Sequence, residues 1–416
     1  MKKILFASVL AGSLVASVGA QAKFGFNYFP PFPNYIVKIN TLGGTVDGSE
    51  IISVVSNKLS NNADGEWTMS LTVRSLDAAW GGDGSSTGVL MGTFSPYTLQ
   101  FTPNTQAAAL NSGGNDLHIS LSPDGRWAVI ERVGSGVYLG YRPAVGLPFG
   151  APVLVAGSPT STLSSQQVHP YLGNVDGIPR LFYTDGDNLV MDQISLDPAA
   201  PSLAGSPVAV AAEVQGGSQP GAPSPITGPD GDVEALWAVD IVIPQLGAGS
   251  GDADPTIHND LDPSTPGIVQ VNRTDWQGWG GIAGGFIYFS HDISAGNMHL
   301  MHAEGAVLLG DSETPGGTVD IRLASPNYGT TLTGTVLFGA GVAAPVMIPG
   351  IRGGFGLSTV SPVTLSGSTN SKDGMIDFQF DVPATFPTGF SIAIQGVTFD
   401  AGSGFTTLSN TAWIHL

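Results

Sequence analysis

Two histidines in this chain stand where chemistry could use them. His118 lies six residues before Asp124, and His169 lies seven before Asp176; each opens a run that ends in an Asp-Gly pair. A neutral imidazole acts as a general base or metal ligand near neutral pH. Glu131 and Arg132 follow the first of these pairs closely and are expected near the same face, as is Glu213. His169, His118, Glu131 and Arg132 are therefore the candidate catalytic set, and two carboxylates across a pocket would suit glycoside hydrolysis. The competing reading is structural, with the His169-Pro170 pair satisfying local backbone groups.

A second group is acidic. PQLGAGSGDADPTIHNDLDPSTPG, residues 244–267, reads as a long insertion carrying Asp252, Asp254, Asp260 and Asp262, with His258 among them. Asp-x-Asp spacing can offer several oxygens to a hard cation, so calcium is the expected cofactor and these four aspartates its expected ligands. The segment lacks the closing glutamate of a full calcium loop, and a solvated acidic loop fits it too. A third group is aromatic. Trp80 in DAAWGGDG, and Trp276 and Trp279 in RTDWQGWG with Arg273 and Asp275, are expected on loops. Exposed indoles stack on the apolar faces of sugars, whose rims need carboxylates and amides. These five residues are the candidate substrate-binding set. Trp127 and Trp237 lie inside strand-like runs and are read as core. The chain has no cysteine nucleophile, no His-Glu-x-x-His, no Gly-x-Ser-x-Gly and no phosphate-binding glycine loop.

The elements that must position these groups repeat. Asp64-Gly65, Asp124-Gly125, Asp176-Gly177, Asp230-Gly231 and Gly284-Gly285 each precede a run rich in β-branched and aromatic residues, at steps of 60, 52, 54 and 54. Strand-rich periods of this length mark a β-propeller with one four-stranded blade per repeat. The expected fold is all-β: a five-bladed β-propeller over 41–311, then a small β-sandwich over 318–416. Asp-Gly suits the inner hairpin of a blade because primed turns need positive φ. The runs LSPDGRWAVIER and HPYLGNVDGIPRLFYT resemble the TolB-type propeller repeat, whose inner strand runs into a Ser-Pro-Asp-Gly turn. The resemblance covers the blades only. It implies the fold and leaves the function open among transport accessory proteins, peptidase domains and polysaccharide lyases.

Composition bounds the rest. MKKILFASVLAGSLVASVGA pairs two lysines with an apolar run and small residues, the pattern of a cleavable signal peptide over 1–20. A secreted or periplasmic address follows. Residues 21–40, aromatic and proline-rich, are expected as a lead-in packed outside the propeller or on the second domain. With 58 glycines, 30 prolines and no cysteine, the chain must be stabilised by burial alone. Its net charge of −19 repels phosphate backbones and anionic lipid, which excludes nucleic acid as a partner, and no later segment has the length of a membrane span. Three functions remain open on the sequence: binding of an extracellular glycan or similar polymer, polysaccharide hydrolysis or lysis, and a non-catalytic envelope scaffold.

Overall fold

A computed structural model describes residues 36–38, 68–71, 77–81, 89–95, 100–112, 116–122, 124–160, 168–186, 188–211, 218–227, 232–242, 252–259, 261, 263, 268–269, 277–283, 286–294, 297–303, 306–310, 315–324, 331–352, 354–361, 363–369, 375–402, 404 and 406–416. The expected signal segment lies outside them. The chain is all-β: among the described residues the strands form antiparallel sheets with only one parallel strand pair, and there is no α-helix. No helix among these residues is long and apolar enough to cross a membrane.

The runs of β-branched and aromatic residues form up-and-down sheets in chain order. One sheet contains Thr68–Leu71, Asp77–Gly81, Leu90–Ser95 and Gln100–Asn104. The next contains Asp116–Leu121, Trp127–Arg132, Gly136–Tyr141 and Val153–Leu154. A third follows with Tyr171–Val175, Ile178–Asp185 and Asn188–Ser195, edged by Ser202–Leu203 and Val208–Ala211. Ser218–Thr227, Val233–Val242, Asp252–Asn259 and Ile268–Val269 make the fourth. In the fifth, Gln277–Ala283, Phe286–Ser294 and Asn297–Ala303 are joined at the edge by Ile36–Lys38, with Val37 opposite His302. Part of the expected lead-in is thus a strand of a sheet.

The first strands of consecutive sheets lie against one another, and that of the fifth lies against that of the first. The packing between sheets explains the burial pattern. Along Trp127–Arg132, Ala128 and Ile130 join the apolar cluster of Met91, Leu110 and Ile119, whereas Val129 joins Val168, Leu172 and Leu181 on the opposite side. A strand between two neighbours must be apolar on both faces, so its hydrophobic run is continuous rather than alternating.

The hairpins differ in detail. At Asp176-Gly177 both residues have positive φ, 52° and 69°, and Val175 pairs with Ile178, as the two-residue turn requires. Asp124-Gly125 instead lies in a longer turn between Ser122 and Trp127, where Gly125 has φ 69° and its N–H donates to the Ser122 carbonyl at 2.8 Å. The first repeat is out of register with the expectation. Thr68–Leu71 lies at one edge of its sheet and pairs with Asp77–Gly81, so Asp64-Gly65 precedes both strands in sequence rather than joining them. Residues 64, 65 and 72–76 lie outside the described residues, as do the turn pairs at 230–231 and 284–285.

The C-terminal sheets begin earlier than expected. Val307–Gly310 pairs with Thr318–Ala324, which pairs with Met375–Asp381. Facing them is a five-stranded sheet ordered Ile351–Arg352, Thr406–His415, Ser391–Asp400, Leu332–Gly339, Thr364–Thr369. Leu308, Ile321 and Leu323 share one core with Val336, Phe338, Ile394 and Ile414. Gln395, fully buried, accepts from the Gly356 N–H and donates to the carbonyls of Gly354 and Ser409, tying the core strands to the segment beside them.

Tyr183, buried between the second and third sheets, gives the fold a pH signature. Burial first, then the carboxylates of Asp192 and Asp185, push its phenol from 10.0 to about 12. The folded chain therefore keeps a proton that the unfolded chain loses, so this stability is intact below about pH 10 and declines towards about pH 12. Urea unfolding across that range should show a steep loss in the wild type and a shallower one in Tyr183→Phe; equal slopes would remove Tyr183 as the cause.

Candidate functional site

His118 belongs to Asp116–Leu121, the first strand of its sheet, and its backbone partner on the next strand is Glu131. His169 precedes Tyr171–Val175, the first strand of the following sheet. Because these first strands are neighbours, residues 51 positions apart in sequence meet. The two imidazole rings lie 5.7 Å apart, centre to centre, at 74°. The Tyr171 ring lies 4.7 Å from that of His118 at 68°. Exposure is 1% at His118, 6% at His169 and 3% at Tyr171, so the group is closed from bulk solvent. Ser120, one face-sharing step along from His118, donates its hydroxyl to the Pro170 carbonyl at 2.8 Å and fastens the two strands.

Neither ring nitrogen of His118 makes a well-aligned hydrogen bond; the Pro170 carbonyl is near enough to act on the ring but not in good geometry. Burial, reinforced by His169 alongside, holds its pKa well below 6.5, although the Pro170 carbonyl works in the opposite direction. His118 is consequently a neutral imidazole at neutral pH.

Glu131 builds the site from behind. Its carboxylate is completely buried, one oxygen accepting the Val168 N–H and the other the His169 N–H, both at 2.8 Å. His169 has φ 43°, in the left-handed region that a bulky side chain rarely adopts. Two consecutive amides pointing at one carboxylate hold that conformation in place. One oxygen of Glu131 thus holds the His169 amide and the other the amide of Val168 just before it.

Arg132, the adjacent residue, points to the other face of the strand. Its guanidinium pairs with Asp116 at 2.7 Å, donates to the Leu110 carbonyl at 2.7 Å and covers the Tyr138 ring at 4.1 Å. Asp116 also accepts from the N–H and hydroxyl of Ser112. This network braces the segment 110–112, which links the first two sheets, against the second sheet and separates Arg132 from the histidines.

The other candidates are placed differently from the expectation. Trp80 lies within the strand Asp77–Gly81, opposite Met69 and Leu90, and not in a loop. Trp279 lies in Gln277–Ala283, where the pairing register shifts. Asp252 and Asp254 start the strand Asp252–Asn259, paired along its length with Val233–Val242. The expected long loop is therefore a strand over these residues, because that edge had backbone groups to satisfy. Arg273, Asp275, Trp276, Asp260, Asp262 and Glu213 lie outside the described residues. Among the described residues no three His, Asp or Glu side chains gather as metal ligands. Tyr171 was not singled out by the sequence reading. Its signal was its position two residues after His169, on the same face once 171–175 becomes a strand.

No family model matches the chain, and no curated protein matches it by sequence. Solved structures do. One, described as xyloglucan PUL GH43B from Bacteroides ovatus, shares 11% identity over 83% of this chain and 96% of its own, with a TM-score of 0.38. A putative 6-phosphogluconolactonase from Bacteroides fragilis shares 13% over 84% and 95%, with a TM-score of 0.26. The extracellular domain of a putative hybrid two-component system from B. thetaiotaomicron shares 10% over 92% and 59%, with a TM-score of 0.30.

The role of Glu131 is open to measurement. In Glu131→Gln one oxygen still accepts an amide, while the new NH2 opposes the other and leaves it buried without a partner. Urea unfolding should show a loss of about 1–3 kcal/mol. An unchanged midpoint would mean that the carboxylate does not hold the His169 segment.

Proposed function

We propose that residues 36–303 form a five-bladed β-propeller, and that the protein is exported and binds a carbohydrate polymer outside the cytoplasm. The blade count is supported by the succession of contacts from each first strand to the next and back to Thr68–Leu71. Ile36–Lys38 supplies the outer strand of the last blade. Export is supported by the Lys2-Lys3 start and the apolar run that follows.

The observation that carries the binding reading is the gathering of His118, His169 and Tyr171 where two first strands meet. Imidazole and phenol groups donate and accept hydrogen bonds without charge, which matches neutral hydroxyls. A net charge of −19 weighs against an anionic polymer. Trp279, in the first strand of the fifth sheet, and Trp276, three residues earlier in sequence, are the stacking residues of this reading.

The test is a glycan array with wild type, followed by reducing-end and unsaturated-product assays on any polymer bound. Binding without product is expected. Trp276→Ala and Trp279→Ala should each weaken it by about 1–3 kcal/mol, taking base–aromatic stacking as the guide. Product formation would replace the binding module with a hydrolase or lyase. Blank results across neutral and anionic polysaccharides would leave the scaffold.

A further inference from the structure

We infer that His118 and His169 form a binding site for a transition-metal ion of the zinc, nickel or copper class. A metal bonded to one nitrogen of each ring at about 2.0–2.1 Å holds the ring centres roughly 5–6 Å apart. The observed separation is 5.7 Å, with the rings steeply inclined to each other. The two nitrogens of His118 are buried without a well-aligned hydrogen-bond partner, a state that is costly when nothing engages them.

The donors decide which metal. Glu131, the nearest carboxylate in register, has each of its oxygens on a backbone amide, and Asp116 faces Arg132 across the strand. What remains around the pair is imidazole and the Tyr171 phenol. Calcium and magnesium require several hard oxygens, whereas imidazole suits zinc, nickel and copper. Two imidazoles fill two of an ion's coordination positions, and the Tyr171 phenol is the oxygen-bearing side chain beside them.

The backbone is built for such a pair. The left-handed turn at His169 brings its side chain to His118, and the grip of Glu131 fixes that turn. A residue that needed only to start the next strand would have no reason to pass through this conformation immediately before a proline. The inference shares its location with the carbohydrate reading but is tested without any sugar, so either can fail alone.

The experiment titrates the chelator-treated full chain with zinc chloride by calorimetry, and repeats it with calcium chloride. One zinc per chain is expected, with a rise in melting temperature, and calcium should give no signal that depends on His118. His118→Ala and His169→Ala should each lower zinc affinity by more than about tenfold, while His302→Ala leaves it unchanged. Should the alanine variants fold poorly, Cu2+ bound to wild type is read by electron paramagnetic resonance for two imidazole nitrogens. Absence of stoichiometric zinc binding, affinity kept in both variants, or a copper spectrum without two such nitrogens would overturn the site.

Discussion

A chain without cysteine has no covalent cross-links to hold its sheets, and it must cover them with other sheets. Each sheet between residues 68 and 303 has two faces to bury, and consecutive sheets provide the cover for one another. The strand Trp127–Arg132 shows how strictly this governs composition. Ala128 and Ile130 serve one neighbour and Val129 the other, so no position in its middle is free to be polar for solvent's sake. Glu131 falls on the same face as Val129, where a carboxylate is costly unless its oxygens are engaged. Two amides from the adjacent sheet engage them. The polar group at the site is therefore an interruption of an apolar interface, made tolerable by the backbone it organises.

That organisation has an energetic logic. A non-glycine residue at φ 43° costs about 1–3 kcal/mol and persists only where its surroundings over-determine it. At His169 the surroundings are a carboxylate on two successive amides and the Ser120 hydroxyl on the next carbonyl. These fastenings come from the neighbouring sheet, while the Thr184 N–H of its own sheet donates to the Val168 carbonyl at 2.8 Å, so the strained turn and the contact between sheets are coupled. Loosening either loosens the other.

The sequence carried the periodicity because turn chemistry is local. Asp-Gly pairs mark hairpins wherever the chain reverses, and four of the five marks fall between the first and second strands of a sheet. The fifth, at Asp64-Gly65, falls before a first strand, and the uneven step of 60 residues was the trace of that slip. His118 and His169 could be found for the same local reason, each being set at the start of a repeat. The work of Glu131 was not legible, since it depends on amides 37 and 38 residues away. Asp252 and Asp254 lie in a strand and not in the expected loop, since an acidic, glycine-flanked segment has the composition of a loop. Only the unpaired edge of Val233–Val242 makes it a strand.

The edge strand Ile36–Lys38 has a consequence for how the molecule comes into being. Val37 pairs with His302, 265 residues further along the chain, so the fifth sheet stays incomplete until almost three quarters of the polypeptide exists. A contact of such long range carries a large loop-closure cost before it returns any stabilisation, and topologies that rely on one fold slowly. The order of synthesis and the order of pairing run in opposite directions here: the first of the described strands to be made cannot pair until Asn297–Ala303 has followed it.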